Sequence, residues 1–420
     1  MKIAVLSTND LKGGAAMSAY RLHHGLRAFG HDSTMFVQSK SGSDSSVRTE
    51  ADPLHRIINQ IRPGLDRLPL YPSRVSESYS TGFFRNRRTL AAVQAFQPDV
   101  VHLQWVNGGF FSLADLAHLN LPAVWRLPDW WLLTAGCHLP YDCERYLTDC
   151  AYCPRLQPGK FDRSTWMLKR KSTQVSALRN IKFVAPSRAL AADAARSKSL
   201  AGADVRVIPN GLDLSLHRPL DKQFARRALN LPPERKIVLF GAVNGRHDPN
   251  KGYDWLMQAL SRVVQQSREA FSCVAFGSEA GVERYGDIVV ESVGVLRDQQ
   301  SLNLMYNAAD LLVVPSYQES FGQTAIEAMA AGTPVVAFQT TGLLDIVDSG
   351  INGYLARKFD VNDLAHGIQM VLEHPVPSAL AEQARSKVER EFDIKQVVGR
   401  YLDLYQEVIS TAGVSNNQGS

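Results

Sequence analysis

The chain has 420 residues, 45% hydrophobic and 21% charged, with a formal net charge of +5. That length suits two domains that each bury a core, and the composition is that of an ordinary soluble globular protein. No apolar run approaches the 18 or more residues of a membrane span, and no aromatic and basic interleaving argues for nucleic acid, so both are excluded as expectations.

The opening MKIAVLSTND lacks the charged, apolar and small-residue order of a signal sequence, which makes the cytoplasm the expected site of action. A pI near 8.9 suits an anionic ligand or an acidic membrane surface without demanding either. Basic residues cluster at Arg85, Arg87 and Arg88 and at Lys169, Arg170 and Lys171. They read either as solvated helix faces or as peripheral contacts with a membrane carrying a lipid-linked acceptor.

Residues 2–7, KIAVLS, read as an apolar strand, and Gly13, Gly14, Ala15 and Ala16 follow before a helix through Ala19, Leu22 and Leu26. Small residues at such a turn let the backbone approach a ligand, although a Gly pair is also simply a turn. A second strand spans 33–37. This βαβ opening without GxGxxG predicts a doubly wound domain that is not a nicotinamide site. Residues 39–80 loosen into an insertion with a short helix and loop in LHRIINQIRPGLDRLPLYP. The strand at 98–103 delivers His102, Gln104 and Trp105 to one edge, His102 being either a packed residue or an acceptor-side ligand. The strand at 123–127 leads to Asp129 in RLPDWWLLTAGCH, an acceptor or base.

Cys137, Cys143, Cys150 and Cys153 fall within 17 residues, and Cys273 sits alone in an apolar strand. Without an export signal, the cluster reads as a metal site or as reduced thiols rather than disulfides. The CxxC at Cys150 and Cys153 suits tetrahedral zinc, which with four thiolates would be structural only.

A strand at 182–186, a helix to about Leu200 and the turn in VRVIPNGLD lead to the second half. There KIVLFG at 236–241 is a strand followed by a loop holding Arg246 and Lys251 ahead of a helix, a fair diphosphate site by charge and helix N–H groups. Strands at 271–277 and 288–296 follow, with residues 294–296, Leu296 among them, a candidate wall for a base. Residues 311–314 form a strand, 316–319 a polar loop, a helix starts near Ser320, and 334–338 is the next strand. Asp345 reads as a helix-start residue. Residues 392–409 predict an amphipathic helix, and 410–420 a disordered tail. Glu319 and Glu327 flank the turn before the helix. Carboxylates repel phosphate, so they suit sugar hydroxyls, yet with 41 acids in the chain roughly four pairs at any one spacing arise by chance.

The segment PSYQESFGQTAIEAMAAGTPVVA resembles the E-x7-E region of retaining glycosyltransferases of family 4, with the GT-B fold. The Gly pair, IPNGLD, the Arg and Lys of GR and KG, and GTPVVA stand in that family's order. The resemblance implies an α/β chain of two Rossmann-like doubly wound domains facing a central cleft. It places an acceptor-binding domain at 1–210, with a Cys-bearing insertion at 136–155 and completed by the helix 392–409, and a nucleotide-sugar-binding domain at 211–391, with a hinge near Asn210.

The implied activity is transfer of a hexose from a UDP or GDP type sugar, with retention, to a saccharide or lipid-linked acceptor, in polysaccharide or glycoconjugate biosynthesis. Glu319 would hold donor sugar hydroxyls and Glu327 the ribose, with Ser320, Phe321 and Gly322 in the turn, Arg246 and Lys251 on the diphosphate, and Gly14 and Leu296 along the donor. Gly13, Gly14, His102 and Asp129 would serve the acceptor side. Two cations can offset the leaving charge, so no cofactor is expected for catalysis. One departure stands out: Pro128 occupies the position of the family's His before Asp. It motivates a second reading, a nucleotide-sugar-binding protein without turnover. A third is a GT-B epimerase or phosphorylase.

Overall fold

The computed structural model describes residues 1–71, 73, 79–157, 161–266 and 270–417, without the side chains of 413–417. Met1–Pro209 with Val397–Ser420 forms one compact unit and Asn210–Gln396 a second. Among the described residues, no helix is long and apolar enough to cross a membrane.

The first unit holds β1 (Lys2–Asn9), β2 (Asp32–Ser39), β3 (Val47–Arg48), β4 (Val100–Leu103), β5 (Ala123–Arg126), β6 (Ile181–Ala185) and β7 (Val205–Val207). They form one sheet in the order β3-β2-β1-β4-β5-β6-β7, parallel throughout. A parallel sheet is covered on both faces, so its strands are runs of apolar residues, and Ile3, Ala4, Val5 and Leu6 are all fully buried. The order reverses between β1 and β4, where Thr8 ties the strand ends: its amide donates to the Trp105 carbonyl at 2.7 Å and its hydroxyl to that of Asn107 at 2.8 Å.

The C-terminal helix, Ile394–Asn417, packs into this unit through Tyr401 and Tyr405. It continues eight residues beyond the expected end at 409, so the disorder expected from 410 is corrected as far as Asn417. Residues 418–420 lie outside the described ones.

The second unit holds β8 (Lys236–Gly241), β9 (Phe271–Phe276), β10 (Gly281–Tyr285), β11 (Ile288–Ser292), β12 (Leu311–Val314), β13 (Val335–Phe338) and β14 (Gly353–Ala356). Their order is β10-β11-β9-β8-β12-β13-β14, with only the β10–β11 pair antiparallel. Side chains alternate between two cores. Leu239, Leu312, Val314, Val335 and Ala337 enter one, whereas Val238, Phe240, Leu311, Val313, Val336 and Phe338 enter the other. Two expectations are corrected. The strand at 288–296 stops at Ser292, because Gly294 turns the chain at φ 89°. Asp345 ends the 3-10 helix Thr341–Asp345 instead of starting a helix.

Candidate functional site

The second sheet reverses its order between β8 and β12, and ligands of open α/β sheets bind beyond the C-terminal strand ends at such a point. The loops there are fastened together by unusually close backbone packing. Gly252 has φ 69°, and a Cβ on it would stand 2.0 Å from the Pro315 carbonyl oxygen, so only glycine lets the loop after β8 lie against the end of β12. Asn250 completes the join. Its side chain donates to the Gln318 carbonyl at 3.0 Å and accepts the Gln318 amide at 3.1 Å, while its own carbonyl takes the Tyr317 amide at 2.8 Å.

This fastening brings Lys251 and Glu319 together, Nζ to Oε1 at 2.7 Å, with the Ser316 hydroxyl donating to the same oxygen at 2.9 Å. Both side chains keep partial access to solvent, 27% and 18%. On the far side of the turn, Thr341 accepts the Glu319 amide at 2.9 Å, and a Cβ on Gly342 would meet the Phe321 backbone at 2.4 Å. Phe321 is buried and Ser320 half-buried. Gly322, at φ 127°, caps the helix Gln323–Ala330.

Arg246 does not join Glu319. Its Nη1 pairs with Glu283, from the antiparallel β10 that sequence reading does not find. Its Nε and Nη2 are buried without a hydrogen-bond partner among the described residues. Unpaired guanidinium donors in a buried place favour an anion. Glu327 is only 7% exposed and accepts the Tyr306 hydroxyl at 2.8 Å, so the two glutamates of the motif sit in different environments. Leu296 is half-buried and packs against the core beside β9 and β12, not in a strand.

In the first unit, Gly13 caps the helix Gly14–Ala28 at φ 90°, exposed with open space beside it, and Gly14 is exposed too. His102 corrects an expectation: it is fully buried, so it cannot meet an acceptor. Arg126 donates to Oε1 of Gln104 at 3.2 Å, which leaves the amide Nε2 facing His102 Nε2 at 3.1 Å, and Tyr405 Oη lies 2.7 Å from His102 Nδ1. Burial first, and the Arg126 charge second, push its pKa down to about 3. It is a neutral pin between β4 and the C-terminal helix.

Asp129 has what the sequence denied it. Pro128 brings no imidazole, but His138 does, its Nδ1 2.7 Å from Asp129 Oδ2 and its Nε2 2.9 Å from the Ser80 hydroxyl. Trp105 Nε1 donates to the same carboxylate oxygen at 2.9 Å, and the Trp131 amide to the other at 2.8 Å. Asp129 and Pro128 line a cavity of ≈ 10 Å³, about the room for one water. The histidine stands nine residues after Asp129, inside RLPDWWLLTAGCH, and the signal was legible once strict adjacency is dropped.

Tetrahedral thiolates around zinc lie roughly 4 Å apart. Among the described residues no three of these sulfurs come within 4.8 Å of one another. Cys137 and Cys153 instead share a hydrogen bond that pulls Cys153 down to about 6 and pushes Cys137 up, while burial raises Cys150 to about 11.

In the basic runs Arg85, Arg87, Arg88 and Lys169 are exposed, as the reading of solvated faces expects. Arg85 pairs with Asp115 at 2.9 Å and Arg88 with Asp52 at 3.2 Å. Arg170 stacks over Phe83 at 4.1 Å. Lys171 is buried, holds the Trp131 and Thr134 carbonyls, and is pushed down to about 7 by burial.

Two family models match in tandem: Glycosyltransferase Family 4 over residues 12–216 and Glycosyl transferases group 1 over residues 221–388. Curated relatives include D-inositol 3-phosphate glycosyltransferase of Saccharomonospora viridis, 33% identical over 49% of this chain and 51% of the relative. D-inositol 3-phosphate glycosyltransferase 2 of Catenulispora acidiphila is 36% identical over 45% and 48%. The chain spans about half the length of the curated relatives it matches. Among solved structures, sucrose-phosphate synthase from Thermosynechococcus elongatus superposes with a TM-score of 0.67 at 22% identity, covering 98% of this chain and 99% of that one. Anabaena HepE in complex with UDP and glucose gives 0.64 at 18%, covering 97% and 99%. These likenesses show the fold, GT-B.

Proposed function

From the premise of a GT-B chain whose halves resemble glycosyltransferase family 4 and group 1, we propose that it is a retaining hexosyltransferase using a UDP or GDP type sugar. The observation that carries the reading is the second sheet's switch point. There Lys251 is held against Glu319 while Arg246, nearby in the same loop, keeps two buried donors unpaired. Structural neighbours in complex with UDP and UDP-glucose, and one bound to ADP, support a nucleotide donor.

The demanding step is departure of the nucleoside diphosphate, which builds negative charge on phosphate oxygen. Lys251 and the free face of Arg246 would oppose that charge without reorganising. Glu319, shared with Lys251 and Ser316, has lone pairs left for sugar hydroxyls, and Glu327 would take the ribose beside Tyr306. No enzyme nucleophile is assigned, in keeping with attack on the face that the leaving group vacates. Asp129, oriented by His138, is the candidate group on the acceptor side, and the acceptor is a saccharide or lipid-linked saccharide of polysaccharide or glycoconjugate synthesis. The cytoplasm is the proposed site of action.

The binding-only alternative rests on the missing imidazole at Pro128, and the His138 imidazole beside Asp129 weighs in favour of transfer. The test is incubation with a panel of nucleotide sugars and acceptors. Acceptor-dependent release of nucleoside diphosphate supports transfer, whereas saturable binding without release, or an altered free sugar nucleotide, refutes it.

A further inference from the structure

Two consecutive histidines of the helix Gly14–Ala28 turn toward one place. Neighbouring positions on a helix point about 100° apart, so side chains from both converge only around a group that stands between them. His23 is fully buried, with Nδ1 2.7 Å from the Ser33 hydroxyl of β2 and Nε2 2.8 Å from the Ser46 hydroxyl. His24 is open to solvent, and its Nε2 lies 2.8 Å from Asp44 Oδ2. The other oxygen of Asp44 accepts the Ser46 amide at 2.8 Å and the Ser46 hydroxyl at 2.7 Å, which fixes the carboxylate just ahead of β3. One ligand atom from each of His23, His24 and Asp44 lies within 4.8 Å of the other two, the one such trio of His, Cys, Asp or Glu among the described residues.

Donors, charge and access together select a cation. With hydroxyls on both of its nitrogens and no carboxylate, the buried His23 imidazole is neutral, which is the form that ligates. Lys40 sits on the Asp44 and Val47 carbonyls and Arg27 on that of Ser33, so neither takes the Asp44 carboxylate. The side chains of His24 and Asp44 are 47% and 19% exposed, which leaves an approach from solvent. Tyr20 flanks it, Oη 3.3 Å from Asp44 Oδ2 and its ring 4.3 Å from that of His24. A plain hydrogen-bonded pair accounts for His24 and Asp44, but not for a second, desolvated imidazole drawn to the same turn. Two imidazole nitrogens and one carboxylate oxygen, with a fourth position for water, suit zinc, whereas calcium and magnesium ask for oxygen throughout.

We infer that His23, His24 and Asp44 bind a zinc ion that ties the helix Gly14–Ala28 to the turn before β3. The ion would displace the proton between His24 and Asp44 and the Ser46 hydroxyl from His23. It would brace the helix that begins at the Gly pair, and it uses neither the cysteines nor Lys251 and Glu319. The site stands whether or not the transfer reading does.

The test is titration of the full chain, stripped with chelator, with zinc chloride by calorimetry and with cobalt chloride by visible absorption. Expected are zinc uptake of micromolar affinity or tighter, a melting midpoint raised by a few degrees in excess zinc, and cobalt bands of a nitrogen and oxygen donor set. His24→Gln and Asp44→Asn should each weaken that uptake about 100-fold or more. Both side chains reach solvent and both replacements still form hydrogen bonds, so the variants should keep the far-UV circular dichroism of the wild type. Should Asp44→Asn unfold, His24→Gln alone must still lose the ion. No zinc uptake, uptake that neither variant lowers, or cobalt bound only with thiolate charge-transfer bands would each overturn the proposal, the last by placing the ion on the cysteines.

Discussion

His138 Nδ1 lies 2.7 Å from Asp129 Oδ2, where it donates to the carboxylate, so the imidazole absent before this aspartate arrives from the segment that also carries Cys137 and Cys143. Removing it leaves Asp129 with Trp105 and Trp131 alone and leaves the Ser80 hydroxyl without its ring partner. His138→Ala should therefore cost about 1–3 kcal/mol of stability. It should also reduce transfer, because Asp129 loses its orientation. His138→Asn should recover part of the melting temperature. An alanine variant with unchanged kcat/KM and unchanged Tm would remove the pair from both roles.

Lys251 lies partly open beside Glu319, so its removal leaves no buried hole. Lys251→Ala should lower acceptor-dependent nucleoside diphosphate release by roughly 10²–10³-fold while the far-UV circular dichroism stays unchanged. Arg246→Ala should weaken the same step, with an added loss of stability, because Glu283 loses its partner. Turnover near wild type in the Lys251 variant would dismiss the diphosphate role.

Gly252 bears on the same loop by geometry alone. Alanine there must take φ 69° and place its Cβ against the Pro315 carbonyl. Gly252→Ala should cost at least ~1–2 kcal/mol from the left-handed backbone, with more from the clash. The readouts are a lower thermal midpoint and weaker nucleotide affinity by calorimetry. An unchanged midpoint would show that the loop has another way to lie on β12.

Acid should destabilise the fold through buried neutral imidazoles. His102 and His23 are each held down to about 3, burial being the larger cause in both, against about 6.5 when unfolded. Above pH 6.5 neither state carries the proton and no penalty exists. As pH falls from 6.5 towards 3 the unfolded chain takes up protons that the folded chain refuses, so stability drops by about 1.4 kcal/mol per pH unit for each group once fully protonated in the unfolded state. Thermal midpoints between roughly pH 7 and pH 5 test the slope, and His102→Gln should flatten it.

The sequence made the second sheet largely legible, because β8, β12 and β13 are continuous apolar runs of a strand buried on both faces. It hid β10, whose five residues are all exposed and include two charges, and β14, which begins at a glycine pressed against the Val335 backbone. Lys251 and Glu319 could be read because each sits at a strand end within its own short motif. Glu283 and Asn250 could not, since each acts on a residue from another segment, and pairing across 37 to 68 residues is set by folding and not by local spacing, whereas His138, nine residues after Asp129, asked only that strict adjacency be dropped. His102 shows the reverse: a strand-end residue that alternation alone could not distinguish from an open one, made inaccessible by Tyr401 and Tyr405 from the far end of the chain.

The insertion bearing His138 contributes no strand to the seven-stranded sheet of the first unit. Trimming that segment would thus leave every strand in place, yet it would take Tyr146 and Cys150 out of the core. The damage would reach Asp129 as well, so a lowered melting temperature and a carboxylate without its imidazole would arrive together.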